Sequence, residues 1–289
     1  MRINPREVHI KDPHFYDEVY APASKKREKD SHFVGLFGLP TSMVATTSHE
    51  LHRFRRGLLN NFFSKRSVLA LSSIIQEKLS KLMQRLETTY HDDNDAIFQL
   101  DNVYAALTAD IISDYSWGES AGYLDDANFN NDIREALNEI SEFSHINRFF
   151  PILSTIMRAM PRRVLGWIRP GAMAVLDMQD TITRSSVRNS RNSEKKTIFD
   201  ALTNPAVPFE ERSPRRLQDE GLIVVIGGTE TTARVLTLGS HYIFRDCQLL
   251  LRLRNELRAV MPTPTTKPSW SDLEKLPYLV SQHYDYIGC

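Results

Sequence analysis

Cysteine is nearly absent from this chain: 289 residues contain two, Cys247 and Cys289. Two thiols so far apart make neither a disulfide framework nor a zinc pattern, and they fit a reducing compartment. Excess charge of either sign is missing as well. Lys+Arg and Asp+Glu both number 36, so no global field favours nucleic acid or an anionic surface. The short basic runs Lys25-Lys26-Arg27, Arg162-Arg163 and Arg215-Arg216 are mixed with acids and read as solvated faces. No run of eighteen or more apolar residues occurs, so no span of a membrane is expected. Met1-Arg2-Ile3-Asn4-Pro5 lacks the apolar core of a signal peptide, and no repeat or low-complexity tract appears.

What is present is mostly helical patterning. Arg2 to Ile10 reads as a short extended piece, followed by a small helix near Asp12 to Tyr20. Gly35, Gly38 and Pro40 mark a loop before Thr47-Ser-His-Glu50, a capping-box pattern that predicts a helix through Phe63. Val68, Leu71, Ile75, Leu79, Leu82 and Leu86 recur at helical spacing, as do Tyr104, Leu107, Ile111 and Tyr115, the second stripe ending at Trp117-Gly118. Residues 129–192 predict two or three helices broken by Pro151, Pro161 and Pro170. The tract Arg184 to Lys196 reads as an exposed helix end running into a loop. A helix over Asp246 to Val260 and an irregular connector over Met261 to Pro268 complete the pattern.

One segment breaks local rules. Leu222 to Leu238 has the pattern of a long buried helix, yet its middle is Gly227-Gly228-Thr229-Glu230-Thr231-Thr232. Each interior glycine costs a helix about 1 kcal/mol relative to alanine, and a carboxylate among apolar turns costs more unless paired or hydrated. Two readings stand level on physics alone. In one, the missing side chains let a flat ligand approach the backbone, the Thr231 hydroxyl bonds the Gly227 carbonyl four residues back, and Glu230 relays protons into the gap. In the other, the glycines allow close helix packing and Glu230 lies on a wetter face.

The string resembles the oxygen-activation motif A/G-G-x-D/E-T-T/S in the long central helix of cytochrome P-450 monooxygenases. By position the resemblance makes Thr231 the oxygen-binding threonine and Glu230 the acid of the proton-delivery pair, with Gly227 and Gly228 over the haem. A second segment, His49 to Ser64, resembles the family's W/H-x-x-x-R helix, with His52 and Arg56 at the paired positions. Four residues apart, they share a helix face. The resemblance gives them a haem propionate to hold, which suits a guanidinium fork. Arg2 to His9, Asp12 to Tyr20, Leu253-Arg-Asn-Glu-Leu257 and Leu273-Glu-Lys-Leu-Pro-Tyr-Leu279 extend the likeness, most closely to fungal microsomal members.

The resemblance implies a mainly α, incomplete cytochrome P-450 fold with a short N-terminal β element and a long central oxygen-activation helix, over residues 1–279. It implies haem b, electrons from NADPH through a cytochrome P-450 reductase, and the endoplasmic reticulum membrane for complete members. The reaction implied is insertion of one oxygen atom of O2 into a lipophilic small molecule, such as a terpenoid or polyketide of fungal secondary metabolism. Substrate contacts are expected from the Phe33–Thr46 loop, the Phe143–Met160 region and Ile223 to Thr231.

Beyond Leu279 the pattern stops: no E-x-x-R and no F-x-x-G-x-R-x-C-x-G loop follows, and neither cysteine matches the thiolate ligand that loop supplies. No anchor, proline-rich hinge or first helix precedes Met1. The expectation is a fragment cut at both ends, with residues 280–289 an unrelated tail read through from an intron. Metal ligation and haem retention are then not expected, and the chain would be cytoplasmic or unstable without an anchor. The alternative function is a catalytically inactive helical fragment; a reused helical scaffold is a third reading.

Overall fold

A computed structural model describes residues 1–281 apart from 4, 6, 23, 35–37, 170 and 190–195. Gly35, Pro170, residues 190–195 of the Arg184–Lys196 tract, and residues 282–289 of the expected tail with Cys289 lie outside the described residues. The helices of the first half are α1 (Tyr16–Val19), α2 (Ser31–Val34), α3 (His49–Asn60), α4 (Lys65–Ala70), α5 (Ser72–Asp92) and α6 (Leu100–Trp117). Then come α7 (Asp132–Phe149), α8 (Pro151–Ala159), α9 (Arg162–Ile168), α10 (Gly171–Asn189) and α11 (Ile198–Leu202). The last are α12 (Pro214–Arg245), α13 (Cys247–Leu257) and α14 (Trp270–Leu273). Among the described residues the one β pairing is an antiparallel bridge between Arg2 and Val8, which is the short N-terminal element expected.

Local chemistry sets several boundaries. Ser48, not Thr47, caps α3 by accepting from the Leu51 N–H, so the predicted capping box does not form; Glu50 pairs with Lys26 instead. The stripe starting at Val68 is split at Leu71 into α4 and α5. Gly118 stops α6 in the left-handed region at φ 84°, where glycine has no Cβ penalty. The proline-punctuated region holds four helices rather than two or three, because a proline at a first helical position loses no ladder bond; Pro151 and Pro214 occupy such positions in α8 and α12.

The central packing is α12 against α6, the most extensive helix pair, with α7 and α10 packed beside them. Small residues fill α6, where Ala105, Ala106 and Ala109 are fully buried, Ala109 in the core that includes Leu222 and Val225 of α12. The main core gathers Ile133, Ile182, Ile198, Phe199, Leu202, Leu222 and Val225. Each such side chain contributes about 1.5–3 kcal/mol on burial. A second cluster of Leu82, Val103, Leu124 and Phe129 joins α5 to α6. By length and composition α12 could cross a membrane, with a mean hydropathy of 1.3 in its most apolar window. Its packing on α6 and its buried Arg216, Asp219 and Glu220 make it the core helix of this fold.

Candidate functional site

The rule-breaking segment lies in the middle of α12, which runs unbroken through both glycines. The Thr231 hydroxyl donates to the Gly227 carbonyl at 2.7 Å, and both residues are exposed. Successive helical residues point about 100° apart, and this divides the motif among three faces. A Cβ added at Gly227 would meet nothing within 4 Å, whereas one at Gly228 would meet Ile112 Cγ1 at 2.7 Å. Thr229 is buried, its carbonyl accepting from the Thr108 hydroxyl of α6 at 3.1 Å. Glu230 turns toward α7, where Arg134 Nε donates to it at 3.1 Å, with Arg234 at 3.5 Å. Arg134 also donates to Asp101 and Asn102 of α6.

The four expected site residues on α12 therefore do not act as one face. Gly227 and Thr231 form an open surface, continued along the helix by the exposed Leu238 and Tyr242. Gly228 departs from the expectation: close packing on Ile112 accounts for its missing side chain. Glu230 departs from an immediate relay role, since its carboxylate is engaged with Arg134.

His52 and Arg56 lie on α3, the first half-exposed and the second exposed. No carboxylate among the described residues pairs with either. Partial burial, then the charges of Lys29, Arg56 and His49, hold the His52 imidazole below its usual value of 6.5. Lys29 is fixed nearby: its ammonium donates to the Val44 carbonyl at 2.8 Å and its backbone N–H to the Thr47 carbonyl just before α3. Two cations, Lys29 and Arg56, beside a largely neutral imidazole that can donate one hydrogen bond, form a receptor for an anion.

Sequence reasoning missed the residues behind this surface. Arg55 is buried and forks onto Glu211, donating from Nε at 2.7 Å and from Nη2 at 2.8 Å. Arg216, expected on a solvated face, is 1% exposed and contacts both Glu211 and Glu220. The spacing of Arg55 to the buried Leu59, one turn on, was the available signal that Arg55 points inward.

A haem fits these residues on two counts: an uncovered helix face with room at Gly227, and the Arg56 guanidinium and His52 imidazole, which no carboxylate among the described residues engages, for its carboxylates. The described residues do not supply an iron ligand. Cys247 is exposed at the first turn of α13, and among the described residues no group of three or more His, Cys, Asp or Glu is arranged to hold a metal.

Comparison with known proteins agrees with the fold and the order of these segments. The model of the family described as cytochrome P-450 matches residues 5–281. The cytochrome P-450 monooxygenase claJ of Penicillium crustosum is 41% identical over 288 residues, covering 97% of this chain and 65% of that protein. The conidiogenone synthase of Penicillium rubens is 41% identical over 283 residues, covering 96% of this chain and 56% of that protein. A crystal structure of a cytochrome P-450 superposes with a TM-score of 0.70 at 18% identity, over 91% of this chain and 56% of that one. At that identity the likeness shows the fold. The chain spans 56% to 65% of the length of these two curated relatives.

Proposed function

The chain belongs to the cytochrome P-450 family, and from that membership we propose that it carries the oxygen-side and carboxylate-binding portion of a haem-dependent monooxygenase. The reaction is R–H + O2 + 2 e⁻ + 2 H⁺ → R–OH + H2O, on a lipophilic small molecule of fungal secondary metabolism. The observation that carries the reading is the Thr231–Gly227 hydrogen bond on an open helix face. The fungal monooxygenase relatives at 41% identity support the substrate setting. NADPH-derived electrons through a reductase, and an endoplasmic reticulum membrane, are the partner and place this reading expects.

Haem, when bound, supplies dioxygen activation, which no side chain can perform. His52 and Arg56 would hold its carboxylates, Arg56 through a planar fork and His52 through an imidazole N–H. Gly227 leaves space for a flat ring. Thr231 has its hydroxyl proton engaged by the Gly227 carbonyl, which leaves Oγ1 lone pairs directed to the open side as an acceptor. For Glu230 to pass a proton toward Thr231, it must first leave Arg134, so the ion pair sets a cost on that step. Val224, Leu238 and Tyr242 offer apolar or amphipathic contact along the same helix.

Thr231→Ala in the holoenzyme, turning over with its reductase, tests the reading. Expected is a larger share of NADPH electrons lost as peroxide, with substrate binding retained. An unchanged ratio of product to NADPH contradicts it.

A further inference from the structure

Between the predicted carboxylate helix α3 and the predicted oxygen helix α12 runs a chain of buried charges. Arg55 of α3 forks onto Glu211 and also donates to the Thr46 hydroxyl at 2.7 Å. Glu211, in the turn just before α12, accepts from Arg216 Nε at 3.3 Å. Arg216 in turn bonds Glu220 one helical turn further on. Glu220 reaches back to the loop before α3, accepting from the Met43 N–H at 2.9 Å, while Asp219 accepts from the N–H and hydroxyl of Thr41. The circuit closes on itself: charged side chains of α3, the turn before α12 and α12 join these helices to one another and to the backbone and hydroxyls of the 41–46 loop.

Stability does not explain this arrangement. Arg55, Glu211, Arg216 and Glu220 are all at most 9% exposed. Arg216 Nη2 and Glu220 Oε1 are buried without a hydrogen-bond partner among the described residues. A partly satisfied buried network is less stabilising than well-packed apolar side chains of the same size. What charges can supply and apolar contacts cannot is direction: a forked guanidinium–carboxylate pair fixes distance and orientation together. The location matters as well. Arg55 precedes Arg56 directly, and Glu220 stands seven residues before Gly227, two turns along nearly the same face of α12.

We propose that Arg55, Glu211, Arg216 and Glu220 are positioning residues that hold the His52–Arg56 edge of α3 at a fixed place relative to the Gly227–Thr231 face of α12. Their purpose rests on the cofactor reading above, but their action is a property of the chain and is measurable without a cofactor. All four are buried beneath the two surfaces rather than exposed on them. The network sets the separation of the two surfaces that must engage one rigid ring, which preorganises the site and reduces the ordering cost of binding.

The test is a spin-label distance across the gap. Labels are placed at Arg53→Cys on α3 and Thr232→Cys on α12, both exposed, in the full chain carrying Cys247→Ser and Cys289→Ser. The network is then replaced by apolar groups, Arg216→Met with Glu220→Met, which can preserve stability. The expected result is retained helix content with a broadened distance distribution and a mean displaced by about 1–2 Å, the scale of helix shifts at packed interfaces. An unchanged distribution overturns the proposal. If the double variant does not fold, Glu211→Asp decides: its shorter reach broadens the distribution if the network positions α3, and leaves it unchanged if the proposal is wrong. A failure of haem binding in the unmodified chain would count against the cofactor reading and leave the distance result standing.

Discussion

Gly228 rests against Ile112 so closely that a Cβ on the glycine would meet Ile112 Cγ1 at 2.7 Å, while its neighbour Gly227 would meet nothing within 4 Å. Two adjacent glycines, alike in sequence, thus serve different physical ends. One lets α12 approach α6; the other leaves a surface open.

The two alanine variants should therefore move stability in opposite directions. Gly228→Ala overpacks the α6–α12 contact and is expected to cost about 1–3 kcal/mol. Gly227→Ala removes backbone entropy from an unobstructed helical site and is expected to gain up to about 1 kcal/mol. Denaturation midpoints of the two variants check this, and equal shifts in one direction would refute the division of faces.

The Glu230–Arg134 pair is expected to couple measurably. Its side chains are 22% and 23% exposed, between a surface pair and a buried one. A double-mutant cycle with Glu230→Gln and Arg134→Gln should give a coupling energy of about 0.5–1 kcal/mol. A value near zero would mean that Glu230 is already free to serve Thr231.

His52 makes stability depend on pH. Its folded-state pKa lies below the usual 6.5 through burial and the charges of Lys29, Arg56 and His49. The unfolded chain therefore binds the proton more readily, and stability is lost as pH falls through about 6.5 and below, until the folded pKa is passed. His52→Gln should flatten that part of the stability profile. Addition of a porphyrin dicarboxylate should raise the His52 pKa, seen by NMR titration of the imidazole, because an opposite charge favours the protonated form. A stability profile unaltered by His52→Gln would contradict the lowered pKa, and an imidazole titration unmoved by the porphyrin would remove this residue from the anion receptor.

Much of the fold was legible because its signals are local. The stripe ending at Trp117-Gly118 became α6 with its left-handed glycine cap, and the hydrogen bond of Thr231 to Gly227 follows from helix geometry alone. What the sequence hid is the direction of side chains set by partners far along the chain. Arg216 was read as part of a solvated face and Arg55 went unremarked; each is buried because Glu211, five and 156 residues away respectively, lies inside to receive it. Glu230 was read toward the gap, and Arg134, 96 residues distant, draws it elsewhere. Ser48 rather than Thr47 caps α3, a one-residue difference that no pattern of Ser and Thr side by side can resolve. The proline-rich stretch yielded more helices than expected because prolines there begin helices as well as end them.

On the proposed function, the Gly227–Thr231 face and the His52–Arg56 pair hold one planar dicarboxylate. Equilibrium titration of the full chain with protoporphyrin IX and with its dimethyl ester tests it most directly, repeated for Gly227→Trp and for Arg56→Gln. The expected result is that the unmodified chain prefers the free acid, that Gly227→Trp weakens both ligands by about tenfold or more, or about 1.4 kcal/mol, and that Arg56→Gln weakens the acid while sparing the ester. Equal affinity for acid and ester in the unmodified chain, undisturbed by either substitution, would contradict it.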